Sequence, residues 1–274
     1  MKSTGDGGLH TTRVAVRKGH SMNRTPIMAG NWKMHKTPDE ARTLVRALVE
    51  GIGPESPNCE VIVAPPFVSI GAAVEAARGS AIQVAGQNLY WEDKGAFTGE
   101  ISGPLLMAAG CTHVIVGHSE RRQLFGETDD TVNRRITAAL RVGLVPIFCV
   151  GETLEERERG RTFDVLRTQV RAGLGEVRPP DPLRFVIAYE PVWAIGTGHT
   201  ATPEQAQEVH AFVREELGSL LGRGAAESMR ILYGGSVKPS NVRGLMDCAD
   251  IDGGLVGGAS LKLEDFLGII REGT

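Results

Sequence analysis

The sequence predicts an α/β protein built as an eightfold parallel (β/α) barrel in a single domain. Three observations carry this prediction. Eight short Val/Ile-rich runs recur along the chain without strict apolar–polar alternation, as strands buried on both faces of a parallel sheet require. Seven of the eight intervals and tails between and after them carry helical patterning. Eight strands with seven such units in about 250 residues match the size of a β/α barrel. A doubly wound open sheet is the alternative, but no GxGxxG follows the first run.

In order, the runs are PIMAG (26–30), EVIVAP (60–65), IQVAG (82–86), THVIVG (112–117), LVPIFCVG (144–151), RFVIAYE (184–190), RILYGG (230–235) and GGLVGG (253–258). The clearest helical segments between them are PDEARTLVRALVEG, TDDTVNRRITAALRVG, TLEERERGRTFDVLRTQVRAGLG and TPEQAQEVHAFVREELGSLLG. Pro or Thr opens several of them and Gly closes several, the usual punctuation of helix ends. No linker divides the chain, so residues 26–274 are expected to form one barrel domain. Residues 1–25 differ, with five basic residues against one acid and no helical apolar face. They are expected to be a disordered extension, an upstream start or an expression remnant. A transit segment would share the basic, acid-poor composition, but the Gly-Asp-Gly-Gly stretch and the missing amphipathic face argue against it.

Composition narrows the function classes. A net charge of −3 gives no drive toward nucleic acid or an anionic membrane surface. No apolar run reaches the length of a membrane span. Cys59, Cys111, Cys149 and Cys248 are far apart and form no CxxC, which reads as reduced thiols in a reducing compartment, here the cytoplasm. No His/Cys/carboxylate cluster has metal-ligand spacing and no GxSxG elbow occurs, so neither a metal nor a serine nucleophile is expected.

In β/α barrels the chemistry sits at the carboxyl ends of the strands, so the residues there should make chemical sense as a set. After the first run come Asn31 and Lys33, two apart and therefore expected on one side of an extended chain. Lys33 could neutralise an anion, although a lone lysine is more often a solvated surface group. After the fourth comes His118, followed by Ser119 and Glu120 where a helix could begin. A helix N-terminus lowers the pKa of a nearby imidazole. Taken alone, His118 could equally be a buried structural histidine. Arg121 and Arg122 could grip a phosphate, but paired arginines more often form surface ion pairs. After the sixth run stands the lone carboxylate Glu190. After the seventh and eighth come Gly234-Gly235-Ser236 and Gly257-Gly258, where bare backbone lets N–H groups approach an anion. Phosphate sites of many barrels lie there. A lysine, a histidine able to stay neutral, a lone carboxylate and a phosphate cradle suit proton transfer beside a carbonyl.

The segments GNWKMH, GQN, GAFTGEIS, VIVGHSERR, AYEPVWAIGTG, YGGSV and GGLVGGASL, in this order and spacing from about residue 26 to the C-terminus, resemble the triosephosphate isomerase family. The resemblance implies cofactor-free interconversion of dihydroxyacetone phosphate and glyceraldehyde 3-phosphate through an enediolate, in glycolysis and gluconeogenesis. It implies Glu190 as the base, His118 as a neutral electrophile, and Lys33 with Asn31 as the substrate-side electrostatic pair. It further implies Glu120 as the carboxylate positioning Lys33, and Gly196, Ser236, Gly257 and Gly258 as phosphate-binding N–H donors. The family is itself a standing example of a histidine held neutral by a helix end and of closure by a mobile loop. On that pattern Pro191-Val192-Trp193 is a stiff hinge, since Pro fixes φ, and the tip beyond it folds over the phosphate. The family also implies a homodimer in which Thr98, on the long loop 86–100, reaches the partner's Asn31 and Glu120. His199 stands where many members have Lys, a change expected to touch lid kinetics or surface charge. Another phosphate-gripping barrel enzyme would explain the glycines but not Lys33, His118 and Glu190 together. A non-catalytic scaffold would be expected to have lost at least one of those three.

Overall fold

Eight parallel strands close into a barrel in the computed structural model, which describes residues 24–54, 57–196 and 200–274. They are β1 (Ile27–Asn31), β2 (Glu60–Ala64), β3 (Ile82–Gly86), β4 (His113–Val116), β5 (Val145–Val150), β6 (Val186–Tyr189), β7 (Arg230–Tyr233) and β8 (Gly253–Val256). Each pairs with the next, and β1 closes the ring by pairing with both β2 and β8, Ile27 standing opposite Glu60 on one side and Gly253 on the other.

The barrel explains the missing alternation in the strand sequences. Ile27, Ala29, Ile62, Ile147, Cys149 and Leu232 point into the barrel interior and pack on one another. Their strand neighbours Met28, Val61, Val63 and Phe148 point outward under the helices. All strand positions but Glu60 and Gln83 are therefore buried, and a strand with two dry faces has no reason to alternate.

Helices cover the outside: α1 (Pro38–Ile52), α2 (Ile70–Ala77), α3 (Gly103–Ala108), α4 (Ser119–Phe125), α5 (Asp129–Val142), α6 (Leu154–Glu158), α7 (Thr162–Leu174), α8 (Pro203–Leu221), α9 (Arg223–Ser228), α10 (Pro239–Met246) and α11 (Leu263–Glu272). Their ends follow local chemistry. At α1, the Thr37 side chain accepts from the Glu40 N–H while Glu40 accepts from the Thr37 N–H at 2.8 Å, and Pro38 fills the first turn. Such a cap contributes about 1 kcal/mol. The helical segment expected over 153–175 is two helices, α6 and α7, divided around Gly160, whose φ of +69° a side chain would resist.

Of the expected N-terminal extension, residues 1–23 lie outside the described residues. Arg24 is bound to the barrel floor: its guanidinium donates to Asp252 Oδ1 at 2.7 Å and to the carbonyls of Glu227 and Ala249. Among the described residues no helix is long and apolar enough to cross a membrane.

Candidate active site

The carboxyl ends of the strands open into a cleft of about 380 Å³, bordered by Asn31, Lys33, His118, Glu190, Gly196, Ser236, Gly257 and Gly258. The sequence named these eight from five separate segments, and the barrel brings them to one place.

Asn31 ends β1, and Lys33 reaches the cleft by a route that strand alternation does not describe. Lys33 has φ +51°, in the left-handed region. That conformation costs a non-glycine residue roughly 1 kcal/mol or more, and three contacts hold it. The Lys33 N–H donates to Asn31 Oδ1 at 3.0 Å. The Gln87 amide, from the loop after β3, donates to the Lys33 carbonyl at 2.7 Å and to the Ala64 carbonyl at 2.9 Å. The Lys33 ammonium then donates to Glu120 Oε1 at 2.5 Å.

His118 leaves β4 and caps α4. Its Nδ1 accepts the Glu120 backbone N–H at 3.2 Å, and its Nε2 stands 2.9 Å from Glu190 Oε1. The ring is buried, which opposes a charge on it. The adjacent Glu190 carboxylate outweighs burial and raises the imidazole above its usual range. The N–H bond into Nδ1 works against that charge, because it needs a lone pair there and is kept by a neutral ring with its proton on Nε2.

Glu190, 2% exposed, follows β6. Its two oxygens accept from His118 Nε2 and, at 2.9 Å, from the Ser119 N–H at the start of α4. Burial pushes its carboxyl up, but the His118 contact and the Ser119 hydrogen bond hold it below the usual carboxylate range. Two glycines make room for it. A Cβ at Gly151 would collide with the Glu190 carbonyl oxygen, and one at Gly234 would stand 2.8 Å from Glu190 Cγ.

Beyond Glu190 the chain is pinned before it reaches the tip. Glu152, fully buried, accepts on Oε1 from the Trp193 indole at 3.0 Å, the Tyr189 hydroxyl at 3.1 Å and Arg157 at 2.9 Å. The Arg157 guanidinium also lies over the Trp193 ring, 4.9 Å from its centroid. A large aromatic just after Pro191 is thus an anchor on the barrel, and exposure rises from Ala194, buried, to Gly196, exposed with φ +70°. Thr197, Gly198 and His199, the last being the position expected to touch lid kinetics or surface charge, lie outside the described residues.

Arg121 and Arg122 do not face the cleft. Arg121 pairs with Glu127, and Arg122 with Asp129 at 2.6 Å, the structural role expected of adjacent arginines. Thr98 is exposed on its loop, away from the cleft lining. The aromatics of that loop partly turn inward: Tyr90 stacks on Trp91, and Arg135 lies 5.0 Å over the Trp91 ring, while Phe97 remains 39% exposed. The sequence reading missed Gln87, Glu152 and the Ser119 N–H. The first lay inside the quoted GQN segment, and the second follows β5 directly, a place where strand-end reasoning could have found it.

Known proteins match along nearly this whole span. The family model described as triosephosphate isomerase matches residues 26–273. A triosephosphate isomerase of Moorella thermoacetica is 58% identical, and one of Trichlorobacter lovleyi 55%, each over 248 residues that cover 90% of this chain and 98% of the relative. The crystal structure of triosephosphate isomerase from Bartonella henselae superposes with a TM-score of 0.82 at 42% identity, covering 90% of this chain and 98% of that one.

Proposed function

The chain belongs to the triosephosphate isomerase family, and from that premise we propose that Glu190, His118 and Lys33 carry its chemistry. The reaction is the aldose–ketose isomerisation of dihydroxyacetone phosphate and glyceraldehyde 3-phosphate, a step of glycolysis. Glu190 takes a proton from the carbon beside the carbonyl and returns it to the neighbouring carbon. His118 donates its Nε2 proton in a hydrogen bond to the carbonyl oxygen as that oxygen becomes negative. The Lys33 ammonium faces the same developing charge. Gly196, Ser236, Gly257 and Gly258 offer N–H groups to the phosphate, which makes the phosphate a handle that orients the reacting carbons.

One observation supports this reading most: the Glu190 carboxylate is buried and bridged to both His118 Nε2 and the Ser119 N–H. A base held by two donors is a weak base. To reach substrate it must give up at least one of them while staying buried, and its basicity then rises when it is needed. The same movement releases His118 from the carboxylate that raises its pKa and leaves it to the N-terminus of α4, which favours the neutral donor. Folding of the tip after Trp193 over the cleft excludes water and protects the enediolate from losing its phosphate. The test is a coupled assay of Glu190→Gln. We expect turnover to fall by about 10²–10⁴-fold or more, with competitive binding of inorganic phosphate retained. A kcat near that of wild type would remove Glu190 from this role.

We read the active form as a cytoplasmic homodimer. The four cysteines are free thiols, in keeping with a reducing compartment. The exposed loop carrying Phe97 and Thr98 offers the partner contact. Thr98→Arg should give monomers by light scattering, near-native circular dichroism and a kcat lower by orders of magnitude, because small displacements of Asn31 and Lys33 disturb catalytic geometry. A fully active monomer would reduce the loop to a surface feature.

A further inference from the structure

The substrate is a phosphate dianion, and the cleft floor offers it little net positive charge. Lys33 is offset by Glu120 at 2.5 Å, and His118 shares its proton environment with the Glu190 carboxylate at 2.9 Å. Neither pair presents an excess cation to an approaching anion. One further fixed cation borders the cleft, Lys238. It is exposed, it stands two residues beyond Ser236, and its ammonium makes no ion pair among the described residues.

The backbone that carries Lys238 is held rigidly to the phosphate end. Asn241, in the first turn of α10, accepts the Lys238 N–H on its Oδ1 at 2.8 Å and donates from its Nδ2 to the Ser236 carbonyl at 3.0 Å. One amide side chain thus ties the base of Lys238 to the residue that offers an N–H to the phosphate. A flexible side chain on a fixed base at the rim can sweep the entrance without blocking it. It can also follow the anion inward, because no carboxylate among the described residues pairs with it.

We infer that Lys238 is a capture residue: it attracts the phosphate dianion into the cleft and holds it at the rim before the Ser236, Gly257 and Gly258 N–H groups take over. This rests on the reading of that end of the cleft as the phosphate site. A lysine acting in this way raises the encounter rate and leaves the proton transfers untouched, since charge at a cleft mouth focuses the field on incoming ions. Screening should abolish the effect, because the Debye length falls from about 30 Å at 0.01 M to about 3 Å at 1 M ionic strength.

The experiment compares Lys238→Gln, Lys238→Glu and Lys238→Arg with wild type, using glyceraldehyde 3-phosphate across ionic strength. At low salt, Lys238→Gln should lower kcat/KM about threefold to tenfold, Lys238→Glu should lower it further, and Lys238→Arg should stay near wild type. The kcat of all three should remain within about twofold of wild type, and the differences in kcat/KM should vanish at high salt, where steering is screened. The inhibition constant of inorganic phosphate should rise in the Gln and Glu variants, while slow turnover of unphosphorylated glyceraldehyde stays unchanged. Wild-type kcat/KM in the Gln and Glu variants at low salt would overturn the inference, as would a salt-independent loss of kcat. If inorganic phosphate failed to compete in the wild-type enzyme, the phosphate reading itself would fall, a result distinct from either.

Discussion

Strand β4 carries a buried histidine near each end, and the two live in opposite electrostatic worlds. His113 opens the strand at the barrel floor, 3% exposed, with Nδ1 2.8 Å from the Thr112 hydroxyl and with Arg230 and Arg184 nearby. Burial, with the two arginines adding to it, pushes its pKa down to about 3. His118 follows the strand at the other end, 6% exposed, and is pushed up by Glu190. Burial opposes a charge on both rings to a similar degree, so burial is not what separates them. The neighbours are. At the floor the partners are structural: Arg230 pairs with Glu60 at 2.6 Å and donates to the Leu183 carbonyl. At the carboxyl end a carboxylate and the N-terminus of α4 converge on one imidazole, because every βα loop brings a helix start there. A buried histidine becomes chemically useful through what its strand end assembles around it.

The largest effect should come from removing the upper histidine. His118→Gln leaves a side chain of similar reach but no imidazole, and kcat is expected to fall by about 10²–10⁴-fold. Loss of its cap on α4 should cost only about 1 kcal/mol of stability, so urea midpoints will separate the chemical loss from unfolding. A kcat within tenfold of wild type would make the two histidines alike after all.

Next is the cation across the cleft. Lys33→Met should raise KM for glyceraldehyde 3-phosphate sharply and lower kcat, on the scale of about 10²–10³-fold for loss of one preorganised electrostatic group. An unchanged KM would sever Lys33 from the substrate.

The smallest effect belongs to the floor, and it is one of stability and pH. His113 there, and His210 on the buried face of α8 with its Nδ1 3.2 Å from the Asp250 carbonyl, are both depressed to about 3, burial being the main cause. Above pH of about 6.5 both the folded and the unfolded chain hold these rings neutral, and no penalty exists. As pH falls below that value the unfolded chain takes up protons that the folded chain refuses, so stability is lost between about 6.5 and 3. At pH 5 each histidine should account for about 2 kcal/mol of that loss. Denaturation of His113→Gln at fixed protein concentration should show a shallower decline from pH 7.5 to pH 5 than wild type, with near-normal kcat at pH 7.5. An identical pH slope would mean that His113 is charged in the folded state.

The patterns legible in the chain were those set by local rules. The eight apolar runs became the eight strands because a strand dry on both faces has a composition no helix interval shares. Thr37, Pro38 and Gly160 acted where they stand, through their own backbone preferences. Asn31, Lys33, His118, Glu190 and the paired glycines could be named because a barrel delivers strand ends to one face whatever the intervening distance in sequence.

Contacts between elements were decided only by the closed barrel. The Asn31 side chain two residues away supports the left-handed backbone of Lys33, but the carbonyl of that residue is held by Gln87, 54 residues away. Nothing in the hinge segment foretold that Trp193 would share the buried Glu152 carboxylate with Tyr189 and Arg157. His113 and His118 flank one β-branched run, and the sequence placed them at its opposite ends without showing which would be held charged or neutral. The sequence by itself determined which residues arrive at each end of the barrel. The tertiary structure decided their charge and their strain, because both depend on groups a few ångströms away in space, and closing the ring chooses those neighbours.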